Sequence, residues 1–415
     1  MLRNSNHLGY IAFCLALIAF TVIIPVNAKY IISILIILEN IYLLYINRKN
    51  VYLFILHAFI LWSNYSILIT NVLFPISDFY TIYKDTSESD IAVYTIFIFT
   101  TFLLMFSCKR YYPQYEFFNL YQKRICPLIT WASLPVLALI CIYGISRGEI
   151  GQRADPSPIY EYAFIIFLLS YFYSNSKIQR RFLNVLLFLF VIQNLIFGGR
   201  IAAVQLILVY ILVYVKTDTR VIKYLPYAFG GIVLMTIIGS VRGAIISSSG
   251  IIESSISSLS ERKLALDTAY AAFHTSVTFI YTKAQITIST QMYLLGQYVK
   301  SLVLGGGVPD AILPEYTYKY YIHTYGGILP CYVYFYLGYI GPVVIALYIT
   351  KFIKKAFTFG NSNYWFLLGV YIIASVPRWY LYSPTPLFRG VLFYSILYFI
   401  CDLVYRTKVK RINIQ

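Results

Sequence analysis

The chain has 415 residues, of which 60% are hydrophobic and only 12% charged, and its formal net charge is +17. Soluble domains are about half apolar and a quarter charged, so this composition excludes an ordinary soluble protein. The positive charge does not call for nucleic acid as a partner, because basic residues that anchor membrane helices and meet anionic lipid explain it.

Long apolar runs separated by short charged stretches predict an all-α polytopic membrane protein with about 12 transmembrane helices. A bilayer core takes about 20 apolar residues per helix, and each span must satisfy its own backbone hydrogen bonds. In chain order the predicted spans are 9–27, 30–46, 51–73, 91–107, 128–144, 159–174, 182–197, 201–215, 224–241, 326–350, 363–377 and 387–404. The pair 182–197 and 201–215, broken at Gly198-Gly199-Arg200, is either a tight re-entrant turn or two helices. The whole chain, 1–415, is predicted to be a single membrane domain.

The distribution of lysine and arginine predicts the orientation. With the N-terminus inside, 20 of the 33 basic residues fall on the cytoplasmic side, and the short loops favour this arrangement. Both termini of this multi-pass protein are therefore predicted to be cytoplasmic.

One connector, 242–325, is much longer than the others and is predicted to face outward. It opens with a serine-rich stretch typical of a flexible linker. Apolar residues then recur at spacings of three or four across 261–285, which predicts an amphipathic helix that lies along the outer membrane surface or caps a cavity. A long ordered outer loop indicates work done at the outer face.

Arginine is unexpectedly frequent in the predicted outer loops, where lysine is scarce. The guanidinium group binds phosphate oxygens bidentately, and neighbouring glycines let a ligand approach the backbone closely. Any one of these arginines is explained as well by snorkelling to lipid head groups or by pairing with Glu149 or Asp155. As a set they indicate a site for an anionic head group, most naturally a pyrophosphate. They are Arg147, Arg153, Arg200, Arg242, Arg378 and Arg389.

Tyrosines and three titratable residues near the end of the long loop are the other candidates. Tyr316, Tyr320, Tyr321 and Tyr325 present flat apolar faces and hydroxyls that suit sugar rings, although an aromatic belt explains most of the 43 tyrosines. His323 is the preferred proton acceptor, followed by Glu315 and Asp310. The sequence shows no metal motif and no phosphate-binding loop, so no metal or other cofactor is predicted.

The loop exit carries a resemblance to a known family. Gly305-Gly306-Gly307-Val308-Pro309, then His323-Thr324-Tyr325-Gly326-Gly327-Ile328, and the glycine-spaced run Tyr336-Leu337-Gly338-Tyr339-Ile340-Gly341-Pro342 look like the bacterial O-antigen polymerases. The architecture with one long late outer loop is similar along nearly the whole chain, and the residue match covers about 50 residues. Outer-loop arginines are a feature of that family, and Arg200, Arg242, Arg378 and Arg389 are the positions that correspond.

The resemblance implies a multi-pass glycosyltransferase of the bacterial inner (cytoplasmic) membrane that uses lipid-linked donors. The connector 242–325 would then be a periplasmic loop. A growing glycan on undecaprenyl pyrophosphate would be transferred to a new lipid-linked repeat unit, with the arginines neutralising the leaving pyrophosphate. The implied partners are this lipid-linked oligosaccharide, membrane lipid and a chain-length regulator protein. The related O-antigen ligases share the architecture but use a lipid A core acceptor, so the ligase alternative stays open.

A transporter is the alternative from another class. Glu39 lies in the middle of the second predicted span and His57 lies inside the third, and an ionisable group at that depth is a functional candidate. Glu39 is otherwise protonated, or bonded to a neighbouring polar side chain such as that of Asn40. Transporters are usually built from two similar halves, and the long loop has no counterpart in the first half. A lipid-linked oligosaccharide flippase therefore ranks second.

Overall fold

The computed structural model describes residues 28–74, 86–107, 117–119, 124–145, 157–197, 199–215, 267–305, 307–323, 326–357 and 362–414. Within these ranges the chain is all α-helical and forms 16 α-helices. Five helices in this part of the chain are long and apolar enough to cross a membrane, namely Lys29–Asn47, Val51–Leu73, Ser87–Phe106, Lys177–Ile196 and Pro386–Val409. Four shorter apolar helices are Pro127–Tyr143, Ala163–Tyr173, Arg200–Tyr214 and Asn363–Ala374.

The described residues of the first half of the chain form eight helices. They are α1 (Ala28–Asn47), α2 (Val51–Leu68), α3 (Ser87–Phe106), α4 (Pro127–Tyr143), α5 (Pro158–Glu161), α6 (Ala163–Tyr173), α7 (Lys177–Ile196) and α8 (Arg200–Tyr214). Short polar side chains start several of them, because Asn50, Thr86, Ser157 and Ser176 each accept a hydrogen bond from a first-turn backbone N–H.

Another eight helices lie on the described residues of the second half. They are α9 (Asp267–Gln285), α10 (Ile288–Leu304), α11 (Leu313–Tyr318), α12 (Leu329–Leu337), α13 (Ile340–Phe357), α14 (Asn363–Ala374), α15 (Val376–Leu381) and α16 (Val391–Ile414). A π-helical turn, Pro386–Gly390, leads directly into α16.

Most predicted spans on described residues coincide with helices. The spans 30–46, 51–73, 91–107 and 128–144 correspond to α1 to α4, and the break at Gly199 separates two helices, α7 and α8, that pack against each other. The predicted spans 9–27 and 224–241 lie outside the described residues.

The prediction of one continuous helix over 326–350 is wrong. α12 ends at Leu337 and α13 begins at Ile340, because Gly338 adopts φ +60°, a left-handed conformation that breaks the helix. Leu329, not residue 326, begins the first of the two helices, since Gly326 and Gly327 also have positive φ values of +89° and +149°. The chain therefore turns sharply twice where hydropathy indicates a single span.

The helix predicted over 261–285 to lie along the membrane surface is enclosed by other helices instead. Every residue of α9 from Ala272 to Ile280 is buried, including Thr275 and Ser276. The helix packs against α2, α3, α12 and α15. No exposed polar face remains over this stretch, so the prediction of a surface position is wrong for α9.

The two ends of the helix assembly carry different contacts. At the end where α1 and α3 begin, Lys29 lies 3.9 Å from Asp90, and Lys283 of α9 donates to the Phe335 carbonyl at 2.9 Å. At the opposite end, Asp402 of α16 pairs with Arg124 and with Arg406. We call the first the loop end and the second the basic end.

Candidate functional site

Two of the predicted phosphate-binding arginines lie on one short stretch between α14 and α16. Arg378 is in α15 and Arg389 is in the π-helical turn that follows. Trp379 fixes α15 by donating from Nε1 to the Ile372 carbonyl at 2.9 Å, and the Tyr380 hydroxyl donates to Asn64 Oδ1 at 2.6 Å. Both aromatic side chains are fully buried, so the backbone that carries Arg378 is held firmly.

Arg378 forms an ion pair with Glu161, the last residue of α5. Its guanidinium carbon also lies 5.7 Å from the centre of the Tyr382 ring, within the range of a cation–π contact. The two charged side chains keep 23% and 33% of their surface exposed. The pair is therefore accessible to a ligand rather than sealed in the core.

Arg389 is held on a different partner. Its Nη2 donates to the Ser301 carbonyl of α10, while its Nε is buried and has no hydrogen-bond partner among the described residues. Tyr162 and Tyr298 lie close enough to interact with its charge. A buried guanidinium N–H normally finds an acceptor, so the free Nε indicates an acceptor that a ligand would supply.

Consecutive residues connect the two arginines. Glu161 pairs with Arg378 and Tyr162 interacts with Arg389, and neighbouring Cα atoms are about 3.8 Å apart. The Tyr162 ring also lies beside Gly390, since its Cε1 would be 3.3 Å from a Cβ there, so Arg378 and Arg389 both lie next to the Glu161-Tyr162 dipeptide. We call this group of residues the arginine cluster, and its members are Glu161, Tyr162, Tyr298, Arg378, Tyr382 and Arg389.

The glycine pair after the long loop packs against this cluster. The Gly327 N–H donates to the Leu381 carbonyl at 3.1 Å, and the Tyr332 hydroxyl donates to the Tyr382 carbonyl at 2.7 Å. A Cβ on Gly327 would lie only 2.7 Å from Tyr332 Cε2, so glycine is required for this approach. The Gly326-Gly327 motif thus supports the backbone next to Arg378.

The other loop candidates form a small unit of their own just before this glycine pair. Asp310 pairs with Lys319 at 2.7 Å, and the rings of Tyr316 and Tyr320 are 5.7 Å apart. Tyr320 and Glu315 are exposed. Tyr321 accepts a hydrogen bond from Gln285 Nε2 of α9 at 2.6 Å, which fastens the unit to the loop end.

His323 is buried within that unit. Thr317 Oγ1 lies 3.0 Å from its Nε2, and its ring packs edge-on against Tyr318 at 5.4 Å. His323 is three residues from Gly326, so the chain keeps it within about 10 Å of the glycine pair beside the arginine cluster. Burial lowers the pKa of His323 to about 4, against a hydrogen bond with the Pro314 backbone that raises it.

This pKa predicts a pH-dependent stability. Between pH 4 and 6.5 the unfolded chain binds a proton at His323 that the folded chain does not, so stability rises with pH through this window and levels off above it. We expect thermal melting in detergent to show a smaller rise in Tm from pH 4.5 to 6.5 for His323→Gln than for wild type. Equal rises in the two proteins would contradict this assignment.

The remaining predicted residues are placed only in part. Arg200 begins α8 next to Gly199, whose N–H donates to the Asn194 carbonyl, and Asn194 in turn bonds Tyr160 beside Glu161. Arg200 therefore lies on the same side of the assembly as α5. The candidates Arg147, Arg153, Arg242 and Tyr325 lie outside the described residues.

Sequence reasoning missed Glu161, Tyr162 and Tyr298. Ser157-Pro158 followed by Glu161 is a recognisable helix start with an acidic first turn, but it gives no sign of a partner more than 200 positions away. Tyr298 stacks on Tyr336 at 6.1 Å and lies beside Thr385. Tyr162 and Tyr298 could not be distinguished by sequence from the other tyrosines of the chain, which number 43 in all.

No protein-family model, curated protein or solved structure matches this chain. Among the residues that the structure describes, no group of three or more His, Cys, Asp or Glu side chains is arranged to hold a metal ion. The functional argument therefore depends on the chemistry of the arginine cluster.

Proposed function

We propose that this chain is a membrane glycosyltransferase that polymerises lipid-linked oligosaccharide repeat units of an O-antigen. In this proposal it crosses the bacterial inner membrane about twelve times, with both termini in the cytoplasm and the loop end at the periplasmic face. It transfers the growing glycan from undecaprenyl pyrophosphate to a new lipid-linked repeat unit. A chain-length regulator protein is a further proposed partner.

The observation that carries the proposal is that Arg378 and Arg389 both lie next to the Glu161-Tyr162 dipeptide, with the Arg389 Nε left without a partner among the described residues. A pyrophosphate offers several acceptor oxygens and at least two negative charges, and two fixed guanidinium groups match both properties. Fixed positive charge also stabilises the pyrophosphate as it leaves, and this stabilisation requires no rearrangement during the reaction.

The surroundings of the cluster suit a sugar attached to that phosphate. Tyr162 and Tyr382 place aromatic rings with hydroxyls next to the arginines. Tyr316, Tyr320 and Tyr321, with His323, lie on the segment that leads into the cluster through Gly326. The donor already carries a phosphate leaving group, so the transfer needs no nucleotide and no cofactor.

The flippase alternative rests on Glu39. Its side chain is only 7% exposed in the middle of α1 and accepts a hydrogen bond from Thr101 of α3 at 2.8 Å. Asn40 does not serve as its partner, because the Asn40 amide donates to the Ile36 carbonyl at 2.7 Å. A hydrogen bond between Glu39 and Thr101 connects α1 to α3 whether or not the protein transports a substrate. The flippase therefore has weaker support than the transferase, which the arginine cluster supports.

Gel analysis of surface polysaccharide from a strain deleted for this gene tests the proposal. We expect molecules capped with a single repeat unit, and a ladder restored by the wild-type gene. Loss of the single-unit product as well would favour the flippase or the O-antigen ligase. Purified protein in nanodiscs with undecaprenyl-pyrophosphate-linked repeat units separates these outcomes further, because only the polymerase lengthens the glycan on the lipid without a lipid A core acceptor.

A further inference from the structure

We infer that Glu161 stays paired with Arg378 until the lipid pyrophosphate binds and displaces its carboxylate. The displaced carboxylate then accepts the proton of the attacking sugar hydroxyl. This inference rests on the proposed function, which supplies the pyrophosphate and the hydroxyl. It assigns two consecutive tasks to a residue that the sequence pattern did not single out.

The position of Glu161 is fixed by the tyrosines on either side of it. The Tyr160 hydroxyl donates to Gln193 Oε1 at 3.0 Å and accepts from Asn194 Nδ2 at 3.0 Å, and its ring stacks on Phe190 at 5.0 Å. Tyr162 packs edge-on against Phe393 at the start of α16, 5.1 Å between ring centres. Glu161 is therefore presented to the arginine cluster by a backbone tied to α7 and α16.

The charge of the site requires an exchange of partners. With Glu161 bound to Arg378, the three charged members of the cluster carry one net positive charge, which is too little for a pyrophosphate. An ion pair this exposed is worth about 0.2–1 kcal/mol, so a ligand with two or more negative charges displaces the carboxylate readily. Arg378 then binds the substrate phosphate in place of the Glu161 carboxylate.

The displaced carboxylate is placed for the proton transfer that glycosyl transfer requires. The acceptor hydroxyl oxygen forms a bond to the anomeric carbon of the donor, and the bond from that carbon to the phosphate oxygen breaks. The electron pair of the broken bond leaves on the lipid pyrophosphate, beside Arg378 and Arg389. The hydroxyl proton passes to the Glu161 carboxylate, which becomes a neutral carboxylic acid. Its negative charge therefore does not repel the leaving pyrophosphate.

The other acidic candidates are held differently. Asp310 is already bound by Lys319 at 2.7 Å, and Glu315 is exposed on α11. Glu161 is the carboxylate among the described residues that is paired with an arginine of the cluster. It therefore meets the reacting groups when that arginine changes partner.

The test compares full-length wild type, Glu161→Gln and the matched control Glu88→Gln in nanodiscs. Glu88 lies in the first turn of α3 and accepts a hydrogen bond from Ser87. Binding is measured with farnesyl pyrophosphate, and transfer with undecaprenyl-pyrophosphate-linked repeat units at saturation. For Glu161→Gln we expect binding about 1.4- to 5-fold tighter, because the competing carboxylate is gone. We expect its turnover to fall about 10²- to 10⁴-fold, the usual contribution of a positioned proton acceptor. Glu161→Asp should recover part of the turnover, and Glu88→Gln should match wild type.

Opposite changes in binding and turnover are the diagnostic result. Weaker binding together with lower turnover would mean that Glu161 only holds the fold, and unchanged values would mean that it has no part; either result overturns the inference. If wild-type protein binds farnesyl pyrophosphate but transfers no glycan, the proposed function is overturned. The difference in binding between wild type and Glu161→Gln then still tests whether pyrophosphate displaces Glu161 from Arg378. Absence of binding in wild type would overturn both.

Discussion

Replacing Arg389 with alanine is expected to lower the rate of glycan transfer about 10²- to 10³-fold, the usual effect of removing one fixed donor from a charge-stabilising site. The Ser301 carbonyl holds Nη2 of Arg389, so the guanidinium is oriented before substrate binds, with its buried Nε directed at no described partner. Arg389→Lys should recover little activity, because an ammonium group that keeps the bond to Ser301 has no second donor at the Nε position. Single-turnover transfer in nanodiscs measures the effect.

The matched control is Arg48→Ala. The guanidinium carbon of Arg48 lies 4.0 Å from the Tyr45 ring centre, but Arg48 follows the end of α1, away from the loop end. We expect its transfer rate to stay within twofold of wild type, since surface substitutions change little. Similar losses in both variants would indicate a general effect of arginine removal, and full activity in Arg389→Ala would remove Arg389 from the site.

Apolar run length predicted the main helices well but not where they break. α1, α2 and α3 fall where 30–46, 51–73 and 91–107 were predicted, because about 20 apolar residues with few charges have few alternatives to a helix. The break at Gly338 could not be predicted from hydropathy, because its neighbours Leu337 and Tyr339 continue the apolar run. The positive φ of Gly338 breaks the helix, and this backbone conformation accompanies the packing of α12 against α13.

α9 shows why a polar pattern can mislead. The spacing of its apolar residues predicts an amphipathic helix with one polar face, yet the hydroxyls between them bond to carbonyls of their own helix. Thr275 reaches the Ala271 carbonyl at 3.2 Å, Ser276 the Ala272 carbonyl at 2.8 Å and Thr282 the Thr278 carbonyl at 2.8 Å. Hydroxyls satisfied in this way can be buried at little cost, so hydropathy alone does not separate them from exposed ones.

The two arginines of the candidate site could be predicted from the sequence, whereas the carboxylate that pairs with Arg378 could not. Arg378 and Arg389 stood out because arginine is rare in short outer loops. Glu161 comes to Arg378 only through the packing of α5, α6 and α16, in which Tyr162 meets Phe393. A contact across more than 200 residues depends on tertiary packing that no local pattern encodes.

Gly390→Ala should be the most damaging small substitution next to the site. A Cβ at this position would overlap the Tyr371 hydroxyl and lie 2.9 Å from Tyr371 Cζ and 3.3 Å from Tyr162 Cε1. Overpacking of this kind costs about 1–3 kcal/mol of stability. The backbone shift also moves Arg389, its immediate neighbour, and a displacement of about 1 Å can lower a rate about 10²-fold. Thermal melting and single-turnover transfer measure the two effects.

Tyr371→Phe provides the compensating change. Alone it removes the hydrogen bond from the Tyr371 hydroxyl to the Pro386 carbonyl, 2.7 Å long, at a cost of about 1 kcal/mol. Combined with Gly390→Ala it removes the overlapping oxygen, so the double variant should transfer glycan at least tenfold faster than Gly390→Ala alone, which is about 1.4 kcal/mol of coupling. Gly296→Ala is the control, because a Cβ there meets nothing within 4 Å. A double variant no faster than Gly390→Ala would mean that crowding against Tyr371 does not position Arg389.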